Sequence, residues 1–134
     1  MILIGLAGGK ADARAEIAKR LEQFGGHRLQ ALPGLESKTR HPGARVRYLV
    51  EALQGAEKNR ALGGLVAHDV TTQEEAEEIR RRGGVIWHVM GPPSESVVME
   101  RDDPKVTAMQ GGCRHFLDAM DALAEHLLSI AAAH

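Results

Sequence analysis

The sequence predicts an α/β domain, a three-layer sandwich around a mainly parallel sheet. Three observations carry this. First, the runs Ile2-Leu3-Ile4, Gly64-Leu65-Val66-Ala67-His68 and Val85-Ile86-Trp87-His88-Val89-Met90 are apolar without polar alternation, the pattern of strands covered on both faces. Second, stretches with apolar residues at helical spacing lie between and after these runs. Third, 134 residues with 43% apolar content are enough for one core and too few for two full domains, so residues 1–134 are read as a single domain.

The elements follow in order. Ile2-Leu3-Ile4 runs into Gly5, Gly8 and Gly9, so a strand over 2–6 ends in a turn. Ile17, Leu21 and Phe24 then recur on one face of a helix over 11–24, which Gly25-Gly26 stop. Residues 27–43 hold two prolines, two glycines and scattered charge, and offer at most one short strand around 28–32. Val46, Leu49, Val50 and Leu53 mark a second helix ending near Gly55. After the second strand, closed by Asp69, Thr72-Gln73-Glu74-Glu75 fits a capping box, opening a helix that runs to about Arg82 and stops at Gly83-Gly84. Arg80, Arg81 and Arg82 read as a solvated helix end. The third strand stops at Gly91-Pro92-Pro93, residues 94–105 are polar, and a last helix carries Phe116, Met120, Leu123, Leu127 and Ile130 on one face. The strand over 2–6 is expected at the centre of the sheet, beside 64–68 and 85–90.

Composition narrows the function. Seventeen basic and eighteen acidic residues give a formal charge of -1, so no global field holds a polyanion, and the 3% aromatic content argues against base-stacking platforms. Nucleic acid is therefore a disfavoured partner. No apolar run approaches the roughly 20 residues needed to span a bilayer. One cysteine, Cys113, and a start without a basic, apolar leader point to a reducing cytoplasm. Seven histidines include no pair at structural-zinc spacing and no His-Glu-x-x-His, so no metal ligands are assigned.

In an open parallel sheet, ligands bind beyond the carboxyl ends of the strands. Two segments meet that condition, the loop over 8–16 and the segment beginning at Asp69. Ile4-Gly5-Leu6-Ala7-Gly8 followed by Glu16-Ile17-Ala18-Lys19-Arg20-Leu21 resembles the strand, phosphate loop and helix that open deoxynucleoside monophosphate kinases of the phage type. Ala67-His68-Asp69-Val70 with Glu75-Ala76-Glu77, Ile79 and Gly83-Gly84-Val85-Ile86 resembles the same family's DVRFPNEAEAI segment and the strand after it. Asp102-Asp103 to Gly111-Gly112 resembles its closing region more loosely. Together these stretches cover roughly half of the chain. The resemblance implies a P-loop-kinase-like fold and transfer of the ATP γ-phosphoryl to a nucleoside monophosphate, with Mg²⁺ bridging the phosphates. It implies catalytic roles for Asp69 and Arg14, cofactor contacts from Gly8, Gly9, Lys10 and Arg14, and monophosphate contacts from Arg40, Arg45 and Arg47.

The phosphate loop departs from the family pattern. Laid ungapped on GxxxxGK[D/S]T, Gly8 takes the first glycine, but Ala13 stands for the second, Arg14 for the lysine, Ala15 for the Asp or Ser, and Glu16 for the Thr. Ala13 carries a Cβ where the backbone must approach phosphate, and Arg14 presents a planar fork in place of a compact ammonium. Glu16 removes the hydroxyl for Mg²⁺ and adds a negative charge; two unit charges about 4 Å apart repel by roughly 4 kcal/mol at an effective dielectric of about 20. The family's Asp-x-Arg becomes Asp69-Val70-Thr71, without the arginine. The expectation is a kinase-like protein with weakened or lost phosphoryl transfer, requiring ATP and Mg²⁺ if active. The alternative is a non-catalytic interaction or regulatory protein on the same scaffold, encoded by a phage or prophage, with a protein partner or a second copy of itself.

Overall fold

The computed structural model describes residues 1–32 and 42–133, without the side chains of Pro42 and Ala133. In chain order the elements are β1 (Ile2–Ala7), α1 (Ala11–Phe24), β2 (Leu29–Ala31), α2 (Pro42–Glu57), β3 (Gly64–Ala67), α3 (Gln73–Arg81), β4 (Val85–Val89), β5 (Lys105–Thr107), β6 (Leu117–Asp118) and α4 (Ala119–Ala133). The strands form one sheet in the order β2-β3-β1-β4-β5-β6, with every pairing parallel. The strand at 2–6 thus lies between 64–68 and 85–90, as its two-sided apolar character requires.

Alternate residues of β1 feed two cores. Ile2, Ile4 and Leu6 join Trp87 and Val89 of β4, Ile17 and Leu21 of α1, and Ala119 and Leu123 of α4. Leu3 and Ala7 join Leu49 and Leu53 of α2, Ala76 and Ile79 of α3, and Ile86. Helices α1 and α4 therefore cover one face and α2 and α3 the other, which makes three layers. Gly5 lets α3 come close: a Cβ there would lie 2.8 Å from both the Ile79 and Ile86 Cδ1 atoms.

Several expectations need correction. Phe24, grouped with Ile17 and Leu21, is 69% exposed, because the helix ends there and its last residue swings past the sheet. Helix α2 ends at Glu57, near Gly55 as expected. Phe116 is not part of the last helix, which begins at Ala119, whereas Met120, Leu123, Leu127 and Ile130 do pack on the core as expected, joined by the fully covered Ala119 and Ala122. Strands β5 and β6 occupy stretches read as polar segment and helix. They are short, and β5 is held by the edge of β4, with the His88 N–H on the Pro104 carbonyl (2.9 Å) and the Met90 N–H on the Val106 carbonyl (2.8 Å). The three arginines ending α3 are not merely solvated: Arg80 pairs with Asp103 (2.6 Å), Arg82 with Glu78 and Glu57, and Arg81 with Glu78. The capping box of Thr72 and Glu75 is present in both directions. Among the described residues, no helix is long and apolar enough to cross a membrane.

Asp118 ties the far edge together. Its Oδ2 accepts the Gly111 N–H at 2.7 Å, its Oδ1 accepts the Met120 N–H at 2.8 Å at the start of α4, and Arg20 of α1 lies 3.6 Å away. The Gly111 bond above all, helped by the Met120 N–H and the Arg20 charge and opposed by burial, holds this carboxyl below its ordinary range. A folded-state pKa below the unfolded one stabilises the fold above the ordinary carboxylate value, and that stability is lost as pH falls through the folded value. Replacing Asp118 with Ala should cost about 0.5–2 kcal/mol at neutral pH, as for other helix caps. The difference from the native chain in urea unfolding should shrink once the pH falls below about 4. A difference that stays constant down to acid pH would show that the charge of Asp118 does not contribute.

Candidate functional site

The site lies where β1 and β3 end side by side, with Gly5 in register with Ala67. Here the sheet changes direction, since α1 leaves β1 toward one face and α3 follows β3 on the other, the crevice in which open α/β sheets bind ligands. After Ala7 the chain turns through Gly8 (φ 72°) and Gly9 (φ 64°), a backbone region that L side chains rarely adopt. Lys10 is extended, and α1 begins at Ala11, with the Arg14 N–H on the Lys10 carbonyl at 3.1 Å. The connecting loop is therefore residues 8–10, not 8–16. Ala13, Arg14 and Glu16 all lie on the helix.

Arg14 reaches back from the first turn of α1 and fills the crevice. Its Nε donates to the His68 carbonyl (3.0 Å), its Nη1 to the carbonyls of Gly8 (2.8 Å) and Gly9 (3.1 Å), and its Nη2 to Asp69 Oδ1 (3.0 Å). The planar fork suits this arrangement, because its donors diverge in one plane toward separate acceptors. Both side chains of the pair are largely buried, at 11% and 16% exposure.

A second arginine approaches Asp69 from α2. Arg45 is 8% exposed; its Nη2 donates to the Asp69 main-chain carbonyl at 2.8 Å and lies 3.9 Å from Asp69 Oδ2. It also bonds both carboxylate oxygens of Glu75, at 3.5 and 3.3 Å. Glu75 is fully buried, and its Oε1 further accepts the N–H and hydroxyl of Thr71 and of Thr72. Among the described residues, two arginines and two carboxylates meet in one network spanning α1, α2 and the segment from the end of β3 to the start of α3. Arg45 thus places a second guanidinium beside Asp69.

ATP with Mg²⁺ does not fit these residues. A phosphate loop turns backbone N–H groups inward, whereas here the Gly8 and Gly9 carbonyls face Arg14. The Gly9 N–H is spent on the Pro92 carbonyl at 2.7 Å. The Asp69 carboxylate is held by Arg14, and Glu16 is exposed on α1, away from the crevice, so its expected repulsion of phosphate has no place to act.

The remaining sequence candidates are dispersed. Lys10 is exposed at the mouth of the crevice. Arg47 is exposed on α2, two residues from Arg45 and hence on another face of the helix. Arg40 lies outside the described residues. Among the described residues, no group of three or more His, Cys, Asp or Glu side chains could hold a metal ion. Sequence reasoning read Glu75 as a cap alone and missed its pairing with Arg45. The signal available was a glutamate at the cap position of a helix whose first turn follows directly on Asp69. Comparisons with family models, with curated proteins and with solved structures find no match for the chain.

Proposed function

We propose that the chain is a deoxynucleoside-monophosphate-kinase-like α/β domain that has lost phosphoryl transfer and acts by binding, in a reducing cytoplasm that suits its one free cysteine. The observation that carries this reading is Arg14, which donates to the carbonyls of Gly8, Gly9 and His68 and to Asp69. A guanidinium tethered there supplies the charge that the crevice would otherwise take from a ligand, and it turns the loop's acceptors inward. The parallel sheet with β1 at its centre and the acidic residue at the end of the neighbouring strand support the scaffold's kinase-like character.

The test is a coupled phosphoryl-transfer assay with ATP, Mg²⁺ and each deoxynucleoside monophosphate, paired with thermal unfolding. Turnover is expected far below about 1 s⁻¹, the low end of ordinary enzyme rates. Millimolar ATP with Mg²⁺ should leave the melting temperature unchanged, since only a ligand of the folded state raises it. The triple variant Ala13→Gly, Arg14→Lys, Glu16→Thr, which withdraws the guanidinium fork from the carbonyls of Gly8, Gly9 and His68, should bind ATP better than the native chain. Turnover at about 1 s⁻¹ or faster by the native chain overturns the proposal, and an ATP-dependent rise in the native chain's melting temperature overturns the closed-crevice account.

A further inference from the structure

A second recess opens at the carboxyl end of β4. Its volume is 210 Å³, and it shares only Gly8 with the crevice that Arg14 closes. Val89, Pro93, Met99 and Phe116 make its walls mostly apolar, and its polar groups include His88 and Lys105. A larger hollow of 510 Å³ lies against α1, lined by side chains of both signs, Glu16, Lys19 and Arg20 among them, and away from the strand ends.

The recess at β4 is built. His88 and Lys105 are register partners on adjacent parallel strands, so their side chains leave the same face of the sheet side by side. The His88 ring is 5% exposed, and its Nε2 lies 2.8 Å from Asp103 Oδ2. That carboxylate oxygen also accepts from Arg80 Nη2 (2.6 Å) and the Glu100 N–H (2.9 Å), so Asp103 is held in place and holds the imidazole as a fixed wall. Lys105 is exposed and has no carboxylate partner among the described residues, and no acidic side chain lines the recess.

Charge and size define the occupant. The recess offers one ammonium against apolar walls, which complements an anion carrying an apolar body. An apolar cavity of about 150 Å³ takes up benzene, and drug-sized ligands occupy about 300–1,000 Å³. The volume here lies between the two and suits one ring with one small substituent. We propose that this recess binds a small monocyclic carboxylate, its carboxylate on Lys105 and its ring against Phe116, Met99 and Pro93. The inference is independent of whether phosphoryl transfer is lost.

Calorimetric titration of the full chain with benzoate, acetate and benzyl alcohol tests both halves of the proposal. Benzoate should bind saturably with a Kd on the order of 1 mM or tighter. Acetate lacks the ring and benzyl alcohol lacks the charge, so each should bind about tenfold more weakly or worse. Lys105→Gln, at an exposed position that does not threaten folding, should weaken benzoate by a similar factor, while Lys19→Gln on the α1 hollow should leave it unchanged. No saturation by about 10 mM benzoate, binding that survives Lys105→Gln, loss of binding in Lys19→Gln, or equal binding of benzyl alcohol would each overturn the proposal.

Discussion

Replacing Glu75 by alanine is expected to destabilise the folded chain by about 3–5 kcal/mol, the usual result of removing one partner from a buried ion pair. Arg45 is only 8% exposed, and the change takes from its buried guanidinium both carboxylate oxygens of Glu75, at 3.5 and 3.3 Å. The same change removes one half of the capping box at the start of α3, the Thr72 N–H on the Glu75 carboxylate, while Thr72 Oγ1 still accepts the backbone N–H of residue 75, so this adds at most about 1 kcal/mol. Glu75→Gln separates the two effects, because an amide can still cap while its charge is gone, and it should fall between alanine and the native chain. Urea unfolding measures all three. A loss under about 1 kcal/mol for Glu75→Ala would show that the Arg45 pair contributes nothing net, as buried pairs sometimes do.

Leu21→Ala should cost about 2–5 kcal/mol, through lost burial and the cavity left behind. Leu21 is fully buried between α1 and the sheet, in the cluster that also holds Leu123 and Trp87. The matched control is Phe24→Ala at the end of the same helix. Phe24 carries the larger side chain but is 69% exposed, so its removal should stay within about 0.5 kcal/mol. Equal losses at the two positions would contradict the packing of α1 on the sheet.

These substitutions also mark how far the chain could be read in advance. Periodicity placed Ile17, Leu21 and Phe24 on one stripe because they share a helical face. It could not report that the helix ends where the sheet no longer lies beneath it. The capping box was legible because Thr72 and Glu75 are three residues apart and interact through local backbone geometry. The pairing of Glu75 with Arg45 was not, since 30 residues separate them. Matching the phosphate-loop pattern to residues 8–16 treated Ala13, Arg14 and Glu16 as loop residues. The helix over 11–24, legible from the same periodicity, already contains them, and in the loop that remains at 8–10 the carbonyls of Gly8 and Gly9 face Arg14.

By itself the sequence determined the alternation of strands and helices, the parallel character of the sheet and the central place of β1. Those features follow from local spacing and from the need of an unbroken apolar strand for cover on both faces. Only the tertiary structure decided what occupies the strand-end crevice. Arg14 meets the carbonyl of His68 across 54 residues and Asp69 across 55, contacts made once β1 and β3 lie side by side. It likewise decided β5 and β6, which are too short to declare themselves and persist because β4 offers β5 an open edge of hydrogen-bonding groups and β5 then offers one to β6. Local patterns record where a chain can bury its apolar surface. Which charge meets which is settled when distant segments are brought within hydrogen-bonding distance.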